Sequence, residues 1–195
     1  MPKLTDDALD LLFRNARSQN GFLPDPVSDE LLHQIWDVAR LGPTSANTNP
    51  MRILFVRSPE AKERLLAAVS PGNVDKTRSA PVTAVFAYDV AFYDQLPKLF
   101  PMRDMRPFFA DNPAAAEASA KNNSALQAAY FMLAARGFGL DCGPMGGFDR
   151  DKVDAEFFAG TTWRSSILCN LGHGDPSKLF PRNPRLDFEE ACKIL

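Results

Sequence analysis

The sequence is poor in the residues that build metal and nucleophile sites. Its 195 residues hold two histidines, His33 and His173, and three cysteines, Cys142, Cys169 and Cys192. So few histidines exclude a His-rich metal centre and the H-E-x-x-H zinc motif. His33 lies among apolar neighbours and reads as structural, while His173, between two glycines, is open between loop filler and site residue. The cysteines are odd in number and no C-x-x-C occurs, which excludes a zinc ribbon, a thioredoxin-type pair and a disulfide framework. Free buried thiols in a reducing compartment are expected instead. G-x-S-x-G, G-x-x-x-x-G-K-[ST] and a G-x-G-x-x-G after a strand are all missing, so no nucleophile elbow, P-loop or Rossmann fingerprint is written here. Neither charge is in excess, with 22 Lys+Arg against 24 Asp+Glu and a net charge of −2. That balance argues against nucleic acid as a partner. No apolar run approaches the roughly eighteen residues of a membrane helix. Met1 to Asp7 has no apolar stretch after Lys3, so neither a leader nor a membrane partner is expected, and a cytoplasmic location is.

What is present is an ordinary folding composition, 45% hydrophobic and 24% charged, enough to form a core without staples and too apolar for disorder. One domain over 1–195 is expected. Thr5 can cap a first helix running to about Asn15, and Ser28 a second in which Leu31, Leu32, Ile35, Trp36 and Ala39 recur at helical spacing. Gly42-Pro43 stops it. Ile53 to Val56 reads as a buried strand, Ser58-Pro59-Glu60 as a helix start, and Pro81 to Tyr88 as a second strand. Phe92 to Pro113 is aromatic and proline-rich without clean period, a partly helical excursion placed to cover a site or a partner. Ala114 to Arg136 is the longest helix, its alanines suited to close packing. Gly143 to Gly147 reads as a glycine-rich loop, with Asp149 capping a short helix to about Phe158. Ile167 to Leu171 is a third strand, and Phe188 to Leu195 a terminal helix. Strands separated by helices predict α/β or α+β layering.

The chemistry lies in loops and cations. Gly42-Pro43-Thr44-Ser45-Ala46-Asn47-Thr48-Asn49-Pro50 offers several neutral hydrogen bonds on a proline-stiffened frame, although the same residues make ordinary turns. Gly143-Pro144-Met145-Gly146-Gly147 permits close backbone approach, or a plain tight turn. Arg17 with Ser18, and Lys178, Arg182 and Arg185 in the tail, are suited to a phosphate monoester, against solvated surface charge as the simpler account. Taken one at a time, these features go no further than a layered domain with polar loops.

Read in order, they resemble the FMN-binding nitroreductase family. The resemblance is carried by Ala16-Arg17-Ser18-Gln19-Asn20 after the first helix, by the Gly42 to Pro50 loop, by Gly72-Asn73-Val74-Asp75-Lys76, by Asn123-Ser124-Ala125-Leu126-Gln127, by Pro144-Met145-Gly146-Gly147, and by Lys178 and Arg185. Arg40 to Asn47, Gly143 to Asp149, Asp154 to Gly160, Phe92-Tyr93 through Pro101, and Ser177-Lys178-Leu179 are similar to the malonic semialdehyde reductase branch, which serves pyrimidine degradation. The resemblance implies an α+β sandwich with a mostly antiparallel sheet, an obligate homodimer, and FMN at the dimer interface. It implies that Arg17, Ser18, Lys178 and Arg185 hold the FMN phosphate and ribityl chain, with Asn20 also among the cofactor-binding positions. Asn73 and Lys76 would sit at the pyrimidine edge and the amides of Gly146 and Gly147 near the hydride-accepting nitrogen, with Pro144 and Met145 also among the cofactor-binding positions. Pro43, Thr44, Ser45 and Asn47 would approach from the other subunit, and Asn123 would complete the set. Two positions depart from the family pattern: Ala16 replaces an arginine common in relatives, and Asn20 stands where many have a cation. The implied activity is hydride transfer from NADPH or NADH through FMN to a small acceptor, malonic semialdehyde in this branch, with Arg103 or Arg106 as anchors for its carboxylate. The alternatives are a broad nitro, quinone or enone reductase, and an FMN-storage protein without turnover.

Overall fold

The computed structural model describes residues 2–195. Helix starts follow the expected side-chain caps. Thr5 accepts from the Ala8 amide at 3.3 Å and opens α1 (Asp6–Leu9), which widens into a π-helical turn, Asp10–Arg14. Ser28 accepts from the Leu31 amide at 3.1 Å and opens α2 (Asp29–Ala39). After β1 (Met51–Val56), Ser58 caps α3 (Pro59–Leu66), and a further helix, α4 (Pro71–Ser79), leads into β2 (Val82–Asp89). Short helices α5 (Leu96–Leu99) and α6 (Arg106–Ala110) precede the long α7 (Pro113–Gly137). Then come β3 (Asp141–Met145), α8 (Arg150–Phe157) capped by Asp149, β4 (Trp163–Gly172) and a single-turn α9 (Phe188–Ala191).

The strands form one four-stranded sheet in the order β1-β2-β4-β3, every pair antiparallel. β2 is buried at every position, and its alternation shows why. Ala84 and Phe86 face a layer containing Ile35 of α2 and Phe131 and Ala135 of α7. Val85 and Ala87 face the other way, onto Leu65 of α3 and Val153 of α8. The Phe86 and Phe131 rings meet edge to face at 5.5 Å. Helices on both faces of an antiparallel sheet make the fold an α+β sandwich.

Three expectations are corrected. Gly143, Pro144 and Met145 belong to a strand, not a loop: Pro144 pairs with Cys169 and Met145 with Leu168, so the sheet has a fourth strand. Pro144 is tolerated because β3 lies at the edge. Gly143 is required because a Cβ there would lie 2.8 Å from the Gln19 carbonyl oxygen, where the chain after α1 crosses β3. α4 was not expected; its sequence has almost no apolar period, but Pro71 at its first turn favours a start. The terminal helix stops at Ala191 rather than Leu195. The excursion at 92–110 is ordered: Phe92, Leu96 and Phe109 form a small core with Tyr88 and with Ala116 and Ala120 of α7.

Candidate functional site

β3 organises the site because its two ends carry different chemistry. At its start, Ser18 bridges to Cys142 in parallel fashion and the Gln19 amide donates to the Cys142 carbonyl at 3.0 Å. This fixes Arg17, Ser18 and Asn20 beside the C-terminal segment. There they line a cavity of about 460 Å³ together with Arg136, Arg182 and Arg185. No carboxylate of the described residues lines it. Arg17 donates to the Phe180 carbonyl, and Arg185 donates to the carbonyls of Asn183 and Pro184 at 3.0 Å. These guanidinium groups are therefore oriented by main chain while their charge stays uncompensated, which suits a dianion. Lys178 does not line the cavity; its stem packs on Gly21, where a Cβ would lie 2.6 Å from Lys178 Cγ.

At the other end of β3, Gly146 is exposed and an added Cβ would meet nothing within 4 Å. Gly147 accepts through its carbonyl from Asn73 Nδ2 and from the Ser70 amide, both at 3.0 Å. Lys76, one turn after Asn73 on α4, shares its face. Lys76 has no ion-pair partner among the described residues, and partial burial lowers its ammonium pKa from the ordinary lysine value. Met145 turns its side chain into the core, where its sulfur accepts from Thr77 Oγ1, so only its backbone reaches this surface. From Cys142 to Gly146 the strand advances about 14 Å at its usual rise per residue.

The loop at 43–49 lies at the opposite sheet edge, before β1. Ala46, Asn47 and Asn49 adopt φ of 47°, 50° and 41°, a left-handed conformation that residues other than glycine and asparagine rarely hold. Two buried amides of α7, one turn apart, brace it. Asn123 Oδ1 accepts from the Ser45 amide at 2.8 Å, and Gln127 bonds the Met51 amide at 2.9 Å and Asn49 Oδ1 at 3.1 Å. Asn123 Nδ2 is spent on Ser119, so Asn123 serves the loop. Thr44 Oγ1 accepts from the Asn49 amide, the Pro43 carbonyl from Tyr130, and Asn47 Nδ2 donates to the Leu99 carbonyl. Gln127 stands in the Asn123 to Gln127 segment but receives no role from the sequence, although an amide one turn after Asn123 in an alanine-rich helix is a readable signal.

A larger cavity, about 730 Å³, runs along β1 beside this loop. Both arginines in its wall are neutralised, Arg40 by Asp37 at 3.0 Å and Arg52 by Asp89 at 2.7 Å. Size alone therefore does not make it the anion site. Of the two anchors expected in the excursion, Arg106 is held by Asp94 at 2.8 Å, and Arg103 has no ion pair among the described residues. Neither lines the cavities just described.

Fold and geometry together give an α+β sandwich with an extended candidate edge for a ligand, cationic at one end and bare backbone at the other. Comparison with known proteins gives this class its family. Residues 13–173 match the model of the nitroreductase family. A relative from Ralstonia nicotianae, provisionally named an NADH dehydrogenase/NAD(P)H nitroreductase, is 54% identical over 195 residues, covering 100% of both chains. Two solved structures share the fold. One, from Exiguobacterium sibiricum and provisionally described as a nitroreductase in complex with FMN, superposes with a TM-score of 0.86 at 23% identity over 100% of both chains. The other, an enone reductase of gut-bacterial fatty acid saturation, has a TM-score of 0.85 at 19% identity, covering 99% of this chain and 100% of that one. The chain belongs to the nitroreductase family.

Proposed function

We propose that the protein is a homodimeric, FMN-dependent oxidoreductase that takes hydride from NADPH or NADH and reduces a small acceptor. One observation carries the reading: β3 joins a carboxylate-free arginine cavity to the open backbone of Gly146, with Asn73 and Lys76 beside it. This donor set fits FMN. Guanidinium forks and the Ser18 hydroxyl match a phosphate monoester, and the space over Gly146 admits a flat ring against main chain. When bound, FMN supplies the hydride chemistry.

In this reading Arg17, Ser18 and Arg185 bind the phosphate, with Asn20 beside them in the cavity wall, while Lys178, which lies outside that wall, contributes only if its head group swings toward the ligand. Asn73 and Lys76 orient the ring's polar edge, where the Lys76 charge favours electron-rich states. Pro144, Met145, Gly146 and Gly147 present backbone and keep side chains out of the reacting face. Pro43, Thr44, Ser45 and Asn47 come from a second copy, because in one chain their loop and Gly146 lie at opposite edges of the sheet, about 14 Å apart across three strand spacings. Asn123 positions that loop. The 92–113 excursion covers the acceptor side.

The motif resemblance supports malonic semialdehyde as the acceptor, reduced to 3-hydroxypropionate. Its carboxylate falls to Arg103, since Arg106 is already neutralised by Asp94. The same neutralisation favours a second reading, a neutral nitro, quinone or enone acceptor, and the solved enone reductase has this fold. The test is the visible spectrum as purified and after anaerobic NADPH. A two-band flavin spectrum that bleaches, then recovers with malonic semialdehyde, is expected. Recovery only with quinones or enones selects the second reading, and bound flavin that NADPH does not bleach selects FMN storage. A colourless protein that FMN cannot reconstitute overturns all three.

A further inference from the structure

We propose that Arg136, at the end of α7, and Arg182, in the C-terminal segment, are phosphate-binding residues of this protein. The assignment deepens the FMN reading and rests on it. Both line the cavity that also holds Arg17 and Arg185. Arg136 Nη1 donates to the Leu12 carbonyl at 2.9 Å, and Arg182 Nη2 donates to the carbonyls of Arg14 and Ala16 at 2.7 and 2.9 Å. A guanidinium carries five N–H donors, so these bonds aim each group and leave donors free. Neither has a carboxylate partner among the described residues, whereas arginines elsewhere commonly do, as in Arg14–Asp6, Arg64–Glu156 and Arg106–Asp94.

The arrangement gathers four cations at one cavity with no carboxylate of the described residues in its wall. Four like charges around about 460 Å³ repel one another, and the main-chain bonds stop them from dispersing. A dianion converts that repulsion into attraction to every member at once. The departure at Ala16 fits the same account. Its short side chain lies in the cavity wall, its carbonyl anchors Arg182, and Arg136 enters from α7 on the same cavity. Arg182 belongs to the tail whose cations the sequence already offered for phosphate, and Arg136 adds a cation from α7 that the sequence did not single out.

Holoprotein reconstituted with FMN or with riboflavin, which lacks the phosphate, is diluted while released flavin is followed by fluorescence. Arg136→Met and Arg182→Met should each weaken FMN by about tenfold to a hundredfold, in the range of a lost charge-assisted hydrogen bond. Riboflavin affinity should stay within about twofold of wild type. Arg136→Lys and Arg182→Lys should recover only the part of the loss that charge alone supplies, because an ammonium does not reproduce the guanidinium fork. Arg78→Met, at a surface pair with Glu63, is the control and should change neither. Equal weakening of both flavins marks a structural role and overturns the assignment, as does unchanged FMN affinity in the Met variants. Wild type that binds neither flavin overturns the FMN reading itself, and the assignment with it.

Discussion

Lys76 is shaped by the lack of a partner. Desolvation lowers its pKa from the ordinary lysine value, so the charged form is disfavoured in the folded chain. The sign follows: folding stability rises with pH through the lowered pKa and levels at the unfolded value. Lys76→Met should therefore leave the flavin-free protein as stable or slightly more stable at pH 7, measured by thermal melts. With FMN bound the same change should lower the flavin midpoint potential, by about 30 mV for each tenfold loss in preference for the reduced form. A spectroelectrochemical titration reads it, and an unchanged potential removes Lys76 from the ring. Two glycines on or just after β3 separate stability from binding in the same way. Gly143→Ala drives a Cβ against the Gln19 backbone and should cost about 1–3 kcal/mol in urea unfolding. Gly146→Ala meets nothing within 4 Å, so its stability should be unchanged while FMN affinity falls at least tenfold. If Gly146→Ala binds FMN normally, the flavin does not lie on that backbone.

Among the elements, the loop at 43–49 shows how strain is kept. Ala46 sits in the left-handed region with φ 47° and ψ 30°, where an alanine costs about 1–2 kcal/mol relative to glycine. Ala46→Gly should stabilise the fold by about 1 kcal/mol, and Gln127→Leu, which strips partners from the Met51 amide and Asn49, should destabilise it by about 1–3 kcal/mol. Urea unfolding checks both. These elements also show what the sequence disclosed. Thr5, Ser28, Ser58 and Asp149 were readable as caps because the bonds they make are local, three residues along the chain. β1 and β2 were readable because buried strands are apolar runs. β3 was not, since Gly143-Pro144 has turn composition and becomes strand through pairing with β4 and the crossing of Gln19. α4 was hidden for a related reason: Gly72, Asn73 and Asp75 are poor helix formers, and only Thr77 is buried. At the candidate site, motif order named Arg17, Ser18 and Asn20, which the fold gathers at one cavity, and Asn73, which it places against Gly147. It could not reach Arg136, which joins the cavity across more than a hundred residues of chain.

For the whole molecule, the distribution of apolar surface decides how many chains make a site. Val38 is 51% exposed and Leu41 76%, and Val38 borders an apolar depression of about 410 Å³ with Leu12, Tyr130, Leu133 and Phe138. A face of this kind on α2 and α7 calls for a covering surface. α7 also braces the 43–49 loop through Asn123, Gln127 and Tyr130, so in the proposed dimer a second copy seated on this face is the one that would bring its loop to the other's β3. Assembly and cofactor are then coupled in the proposed dimer: wild type should sediment at roughly twice the 21.5 kDa chain mass and retain flavin. Val38→Glu combined with Leu41→Glu should sediment as one chain and release FMN on gel filtration, although every residue of the arginine cavity is untouched. A dimer-free variant that holds FMN as tightly as wild type would place the whole site within one chain. The loop at 43–49 would then be a braced turn with no part in binding.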